Sequence, residues 1–269
     1  MSKIKNVLIC GCSYSAPNTQ SGWKKENLHN VWTNILAKNT DWQIDNFAVG
    51  GCTNYEISMR AIENITKKSY DLCIIQWTSL HRLWVYEAEN NIDNPTQILP
   101  HPRGWNVDSG PDNNSSNAKE LHKLYISNYL NTYVALKHWF YYHQILQNLL
   151  PNIIFINGIN HLVSDLEMLV EQPWNHLPIN KLNIPSTIKH ILNFDNNPDD
   201  YLKEKLNTLI MAYKSIDQTK TIGYNKSKLI YGMPDSILYD KADDGMHPGK
   251  YVNQYIAEKV LEKVEKLHA

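Results

Sequence analysis

The segment Val7-Leu8-Ile9-Cys10-Gly11-Cys12-Ser13-Tyr14-Ser15 decides how the rest of the chain is read. Four apolar residues run unbroken up to a glycine, the pattern of a strand buried on both faces that stops at a tight turn. Strands of that kind belong to parallel sheets covered by helices on both sides, because only there does neither face meet water. The flanking sequence keeps this alternation. Leu28, Val31, Trp32, Ile35 and Leu36 recur at spacings of three and four, one face of a helix over 28–36. Residues 42–49 return to a strand-like pattern ending at Gly50-Gly51, and Ile57, Ala61, Ile62 and Ile65 set a second helix over 55–65. Leu72-Cys73-Ile74-Ile75 predicts a third strand, again apolar on both faces. A helical pattern over 121–150 runs up to Pro151, and Ile153-Ile154-Phe155-Ile156 predicts a fourth strand. Tyr251, Val252, Tyr255, Ile256, Val260, Val264 and Leu267 form one stripe with Lys and Glu opposite, which predicts a closing surface helix over 251–267.

Two stretches depart from the alternation. The first, 83–119, is rich in Asn, Pro, Asp, Ser and Gly, with Trp84, Tyr86 and Trp105 interspersed. The second, 160–227, mixes helical patches over 162–170 and 201–216 with Pro173, Pro178, Pro185 and Pro198. Structureless loops longer than about 12 to 15 residues are uncommon in compact domains and usually serve as lids or binding loops. Both stretches are therefore read as insertions over the carboxyl edge of the sheet, within a single domain spanning 1–269. No internal repeat and no sharp change of composition marks a second domain.

The 269 residues carry 26 Lys plus Arg against 27 Asp plus Glu, a net charge of −1 that supplies no field for holding nucleic acid or anionic lipid. No apolar run approaches the roughly 20 residues needed to span a bilayer, and 7–10 is too brief for a signal-peptide core. The expectation is a cytoplasmic protein with no nucleic-acid and no membrane partner. Cys10, Cys12, Cys52 and Cys73 lack the paired spacing of a zinc site and are read as thiols, inert where an apolar strand raises their pKa. His138 and His143, five apart on a helix, face different directions, against a metal pair.

Three stretches carry chemistry. Ser13 follows the first strand directly, where ligands of open parallel sheets bind, and N–H groups at the start of the next segment face a developing negative charge there. The alternative is that Ser13 caps the following helix. Near the other end, Asp244-Gly245-Met246-His247-Pro248 places an Asp three residues before a His. A serine hydroxyl needs a base, His suits that task near neutrality, and an Asp on the same turn fixes its tautomer and stabilises the imidazolium. An ordinary Asp-Gly turn before a helix gives the same letters. The third stretch, 46–54, holds Gly50-Gly51, where a backbone N–H of Gly51 can approach a substrate oxygen closely; a positive-φ turn before a helix capped by Thr53 or Asn54 is the structural alternative.

In order and position these stretches resemble the SGNH (GDSL-like) hydrolases, a superfamily of esterases and lipases. Gly11 to Tyr14 resembles the first block of that family, Gly51 the glycine of the second, and Asp244 to Pro248 the last. The resemblance implies a three-layer α/β/α sandwich with a flavodoxin-like, mostly parallel sheet of about five strands, a triad of Ser13, His247 and Asp244, and an oxyanion hole built from the N–H groups of Ser13 and Gly51. It implies no metal and no organic cofactor. The third block, usually Gly-x-Asn-Asp, has no counterpart: the sequence continues Gln76-Trp77-Thr78-Ser79-Leu80-His81-Arg82. Thr78 or Ser79 offers a hydroxyl in place of the missing Asn, and His81 or Arg82 a charged donor. Trp77, Arg82, Trp84 and Trp105 are expected to contact substrate. The activity expected is that of a serine esterase working through an acyl-enzyme, on a small-molecule or carbohydrate ester with a short acyl group such as acetyl. An acyltransferase using the same triad and a non-catalytic binding module on the same scaffold are the alternatives, and a flavodoxin-like cofactor carrier is a weaker rival.

Overall fold

The computed structural model describes residues 4–78, 80, 82–85, 103–106, 132–157, 166, 169, 170, 172, 178–194, 197–222, 240–245 and 247–268. In chain order their main elements are β1 (Asn6–Cys10), α1 (Trp32–Asn39), β2 (Gln43–Asn46), α2 (Asn54–Lys67), β3 (Leu72–Gln76), β4 (Arg82–Val85), β5 (Arg103–Asn106), α3 (Thr132–Leu149), β6 (Ile153–Ile156), α4 (Ser186–Ile191), α5 (Asp199–Lys214), β7 (Thr221–Ile222) and α6 (Lys250–His268). Five strands form one sheet in the order β2-β1-β3-β6-β7, and every neighbouring pair in it is parallel. From β1 the chain first adds β2 on one side and then β3 on the other. That reversal opens a crevice beyond the carboxyl ends of β1 and β3, where ligands of such sheets bind.

Side-chain alternation along the strands divides the core in two. Leu8, Cys10, Cys73, Ile75, Ile153 and Phe155 face a cluster completed by α2, α3 and α5. Val7, Ile9, Leu72, Ile74, Ile154 and Ile156 face the opposite cluster, completed by Trp32 and Leu36 of α1 and by Val252, Ile256 and Val260 of α6. The result is a three-layer α/β/α sandwich.

The helix expected over 28–36 is divided. Residues 25–30 form a 3₁₀ turn, Val31 is extended (φ −68, ψ 134), and α1 starts at Trp32. The Trp32 N–H, which has no partner within the helix, donates to Asn253 Oδ1 of α6 at 3.0 Å. The stretch expected as a first insertion contains an antiparallel ribbon, with Arg82 opposite Asn106 and Trp84 opposite Gly104. The stretch expected as a second insertion contributes to the core itself: α5 buries Leu202, Leu206, Leu209, Ile210 and Tyr213, and β7 pairs with β6. Residues 86–102, 107–131, 160–165, 167, 168, 171, 173–177, 195, 196 and 223–227 lie outside the described residues. Among the described residues no helix is long and apolar enough to cross a membrane.

Candidate active site

β1 delivers the chain at Gly11 into a 3₁₀ turn over Ser13–Ser15, closed by Ser15 N donating to Cys12 O (3.0 Å) and Ala16 N to Ser13 O (3.2 Å). The turn is held from three elements. Trp32 Nε1 of α1 donates to Tyr14 O at 3.0 Å, and Asn46 Nδ2 of β2 to Ser15 O at 2.9 Å. From β3, Gln76 Oε1 accepts the Ser15 hydroxyl and, at 3.8 Å, the Cys12 thiol. Gly11 is required by this packing, since a Cβ there would lie 2.8 Å from Ser15 Oγ and 3.1 Å from Gln76 Cβ. Ser13 is thereby fixed at the sheet's carboxyl edge, 5% exposed.

Beside the turn, Val49 N donates to Gly11 O at 3.1 Å, and the chain reverses at Gly51 with φ +81. Gly50 N is held by Gln20 Oε1 at 3.0 Å. Thr53 then caps α2 in a capping box with Glu56, so the helix-cap reading of this stretch holds with Thr53 as the cap. Asn54 clamps the end of β3: its Oδ1 accepts from Thr78 N at 2.9 Å, and its Nδ2 donates to Thr78 O at 3.1 Å. Thr78 is buried, and its hydroxyl has no hydrogen-bond partner among the described residues.

The third component hangs from the segment after the turn that carries Ser13. Asp244 N donates to Gly22 O at 3.1 Å, and Ala242 N to His247 O at 2.9 Å. Asp243 accepts from Lys24 N at 2.8 Å and from Asn27 Nδ2, contacts that hold its carboxyl below the usual range. Asp244 Oδ1 accepts the His247 N–H at 3.0 Å, and Oδ2 lies 2.5 Å from His247 Nδ1. One carboxylate thus fixes both backbone and ring of the histidine, and Nδ1 is its donor, which leaves Nε2 as the acceptor nitrogen. The His247 ring meets Tyr14 edge-on, centroids 5.3 Å apart, which brings it beside the residue following Ser13. A cleft of about 400 Å³ opens there, lined by Thr19, Gln20, Gly22, Trp23, Asp244 and His247 among others.

Trp77, expected to contact substrate, is packed as a core ring instead. It is 1% exposed and stacks on Phe155 at 5.8 Å, and its Nε1 donates to His143 Nδ1 at 3.2 Å. Ser79 lies outside the described residues, as do the side chains of Arg82, Trp84 and Trp105. All four cysteines are buried thiols in no disulfide; burial raises the Cys10 thiol and pushes Cys73 up to about 12. Among the described residues no group of three or more His, Cys, Asp or Glu could hold a metal ion. Gly22, Gln20, Asn54 and Gln76, which build the site, carry no signal in the sequence, because each acts on a partner distant along the chain.

No protein-family model matches the chain, and no curated protein matches it. Among solved structures it is similar to a lipase/acylhydrolase from Enterococcus faecalis, with 9% identity, 98% of this chain and 96% of that one covered, and a TM-score of 0.45. It is also similar to the psychrotrophic esterase EstA from a Pseudoalteromonas species, with 11% identity, 97% of each chain covered and a TM-score of 0.39. An acetyl xylan esterase from Geobacillus stearothermophilus matches with 11% identity, 97% of this chain and 94% of that one covered, and a TM-score of 0.41.

Proposed function

We propose that this chain is a serine hydrolase of the SGNH type that cleaves esters through an acyl-enzyme. The observation that carries this reading is the pairing of Asp244 with His247 at 2.5 Å, with the imidazole against Tyr14 of the turn that holds Ser13. Ser13 Oγ attacks the ester carbonyl carbon while His247 Nε2 takes the hydroxyl proton. The tetrahedral oxyanion is held by the N–H groups of Ser13 and Gly51, and the Thr78 hydroxyl fills the place of the missing Asn donor. As the intermediate collapses, the C–O bond to the leaving alcohol breaks and the imidazolium returns its proton to that alcohol. Water, deprotonated by the same nitrogen, then releases the acid and restores Ser13.

The cleft beside His247 carries Thr19, Gln20, Lys24 and Asp243 on its wall together with apolar surface that includes Trp23. That lining supports a short acyl group on a hydroxyl-rich alcohol such as a carbohydrate. A serine-directed fluorophosphonate is expected to label the protein at Ser13, with labelling abolished in Ser13→Ala. A correctly folded chain that takes no label and does not hydrolyse p-nitrophenyl acetate would remove the reading.

The geometry around Gly22 gives a second test. A Cβ at this position would lie 2.6 Å from Asp244 Oδ2 and 2.7 Å from Cγ and Oδ1, at a φ of +82 that L residues rarely adopt. Gly22→Ala must therefore displace the carboxylate that orients His247. A shift of about 1 Å in a catalytic group costs on the order of 100-fold, so kcat for p-nitrophenyl acetate is expected to fall by about that factor. A folded Gly22→Ala variant with full kcat would contradict the role given to Asp244.

A further inference from the structure

Below the carboxyl edge, on the face covered by α2 and α3, lie polar atoms that the ester chemistry does not use. Trp139 Nε1, His143 Nε2 and both amide atoms of Asn157 are buried, and none has a hydrogen-bond partner among the described residues. The three residues are 1%, 0% and 3% exposed.

Their placement follows from the packing. The His143 ring stacks on Phe155 of β6 at 3.7 Å between centroids, and it meets the Trp139 ring at 5.3 Å. α3 leads into β6 through residues 150–152 and so runs against it. One turn back along α3, from His143 to Trp139, climbs about 6 Å; two residues on along the strand, from Phe155 to Asn157, climb about 6.6 Å on the same face. Trp139 and Asn157 are therefore level, one step above the stacked pair, and Trp77 closes the side, edge-on to Trp139 at 6.1 Å.

The chemistry of the lining selects its ligand. Because Trp77 Nε1 donates to His143 Nδ1 and burial keeps the ring neutral, the imidazole carries its one hydrogen on Nε2. Trp139, His143 and Asn157 thus each offer a buried N–H donor without a partner among the described residues, and Asn157 Oδ1 is an acceptor in the same state. A cation would find one lone-pair group and an anion no positive charge. An uncharged hydroxyl accepts from the N–H groups and donates to Oδ1.

We propose that Trp139, His143 and Asn157 form a binding site for an uncharged hydroxyl oxygen, supplied either by a trapped water or by a hydroxyl of an alcohol or sugar bound in the cleft. β6 is two strands from β1, so these atoms lie about 10 Å across the sheet from the turn that carries Ser13, a distance that a polyol esterified there would span. Buried polar groups left without partners are rare, and such groups are commonly satisfied by internal water.

The test has two arms. A high-resolution crystal structure of the full chain is expected to show an oxygen within about 2.7–3.2 Å of His143 Nε2 and an amide atom of Asn157; a closed, empty pocket overturns the site. The second arm compares monoacetin with ethyl acetate, which differ in the free hydroxyls. A fall of about 10-fold or more in the monoacetin-to-ethyl acetate ratio of kcat/KM in Asn157→Leu identifies the substrate hydroxyl as the source, and an unchanged ratio identifies water. Only this arm rests on the hydrolase reading. If the wild-type chain turns over neither ester, that reading fails while the oxygen test stands.

Discussion

Replacing His247 with alanine is expected to lower kcat for p-nitrophenyl acetate by about 10⁴- to 10⁶-fold with little change in KM. The substitution removes the only imidazole that the structure places beside the nucleophile turn among the described residues, with its ring against Tyr14. It leaves Ser13 and the Gly51 loop in place, so substrate still binds, but no group takes the hydroxyl proton as the carbonyl is attacked. The Asp244 carboxylate is a poor substitute, because it lies behind the lost ring on its Nδ1 side and one of its oxygens stays with the backbone N–H of position 247. Single-turnover and steady-state kinetics on the folded variant provide the check. A loss smaller than about 10-fold would mean that some other base serves Ser13, and the dyad would become a structural turn.

The second large effect concerns stability. His143 is buried, and the cost of desolvating its charged form pushes its pKa down to about 3 from an ordinary 6.5. Between those values the unfolded chain binds a proton at this position that the folded chain refuses. Folded-state stability is therefore undiminished above pH 6.5 and is lost as the pH falls, at roughly 1.4 kcal/mol per unit. From pH 7 to pH 5 this one ring is expected to cost about 2 kcal/mol. His143→Phe keeps a ring against Phe155 and removes the titration. Urea unfolding of both proteins at the two pH values isolates the difference, in which other titrating groups cancel. Equal pH dependence in wild type and variant would show that the folded protein accepts the proton at position 143.

The parts of the fold legible in the sequence are those whose causes are local. β1, β3 and β6 show as unbroken apolar runs because each is covered on both faces, and the Asp244–His247 pairing shows because a spacing of three within one turn suffices to make it. β7 escapes such reading: two residues carry no period. The break at Val31 escapes it as well, since α1 takes its first hydrogen-bond acceptor from Asn253, 221 residues away. The same limit applies at the site. Gln76 reads as the end of a strand, and only the fold reveals that its amide oxygen gathers Ser15 and Cys12 on either side of Ser13. Trp77 misled for the opposite reason. Next to a presumed donor it suggests a substrate wall, whereas strand alternation turns its ring inward onto Phe155.

His247, the proposed general base, belongs to a loop anchored, across 219 residues of sequence, to Lys24. During synthesis on the ribosome Ser13 is made long before His247. On the proposed mechanism a nascent chain lacks the base that Ser13 needs, and the serine becomes reactive only after translation has passed the final loop.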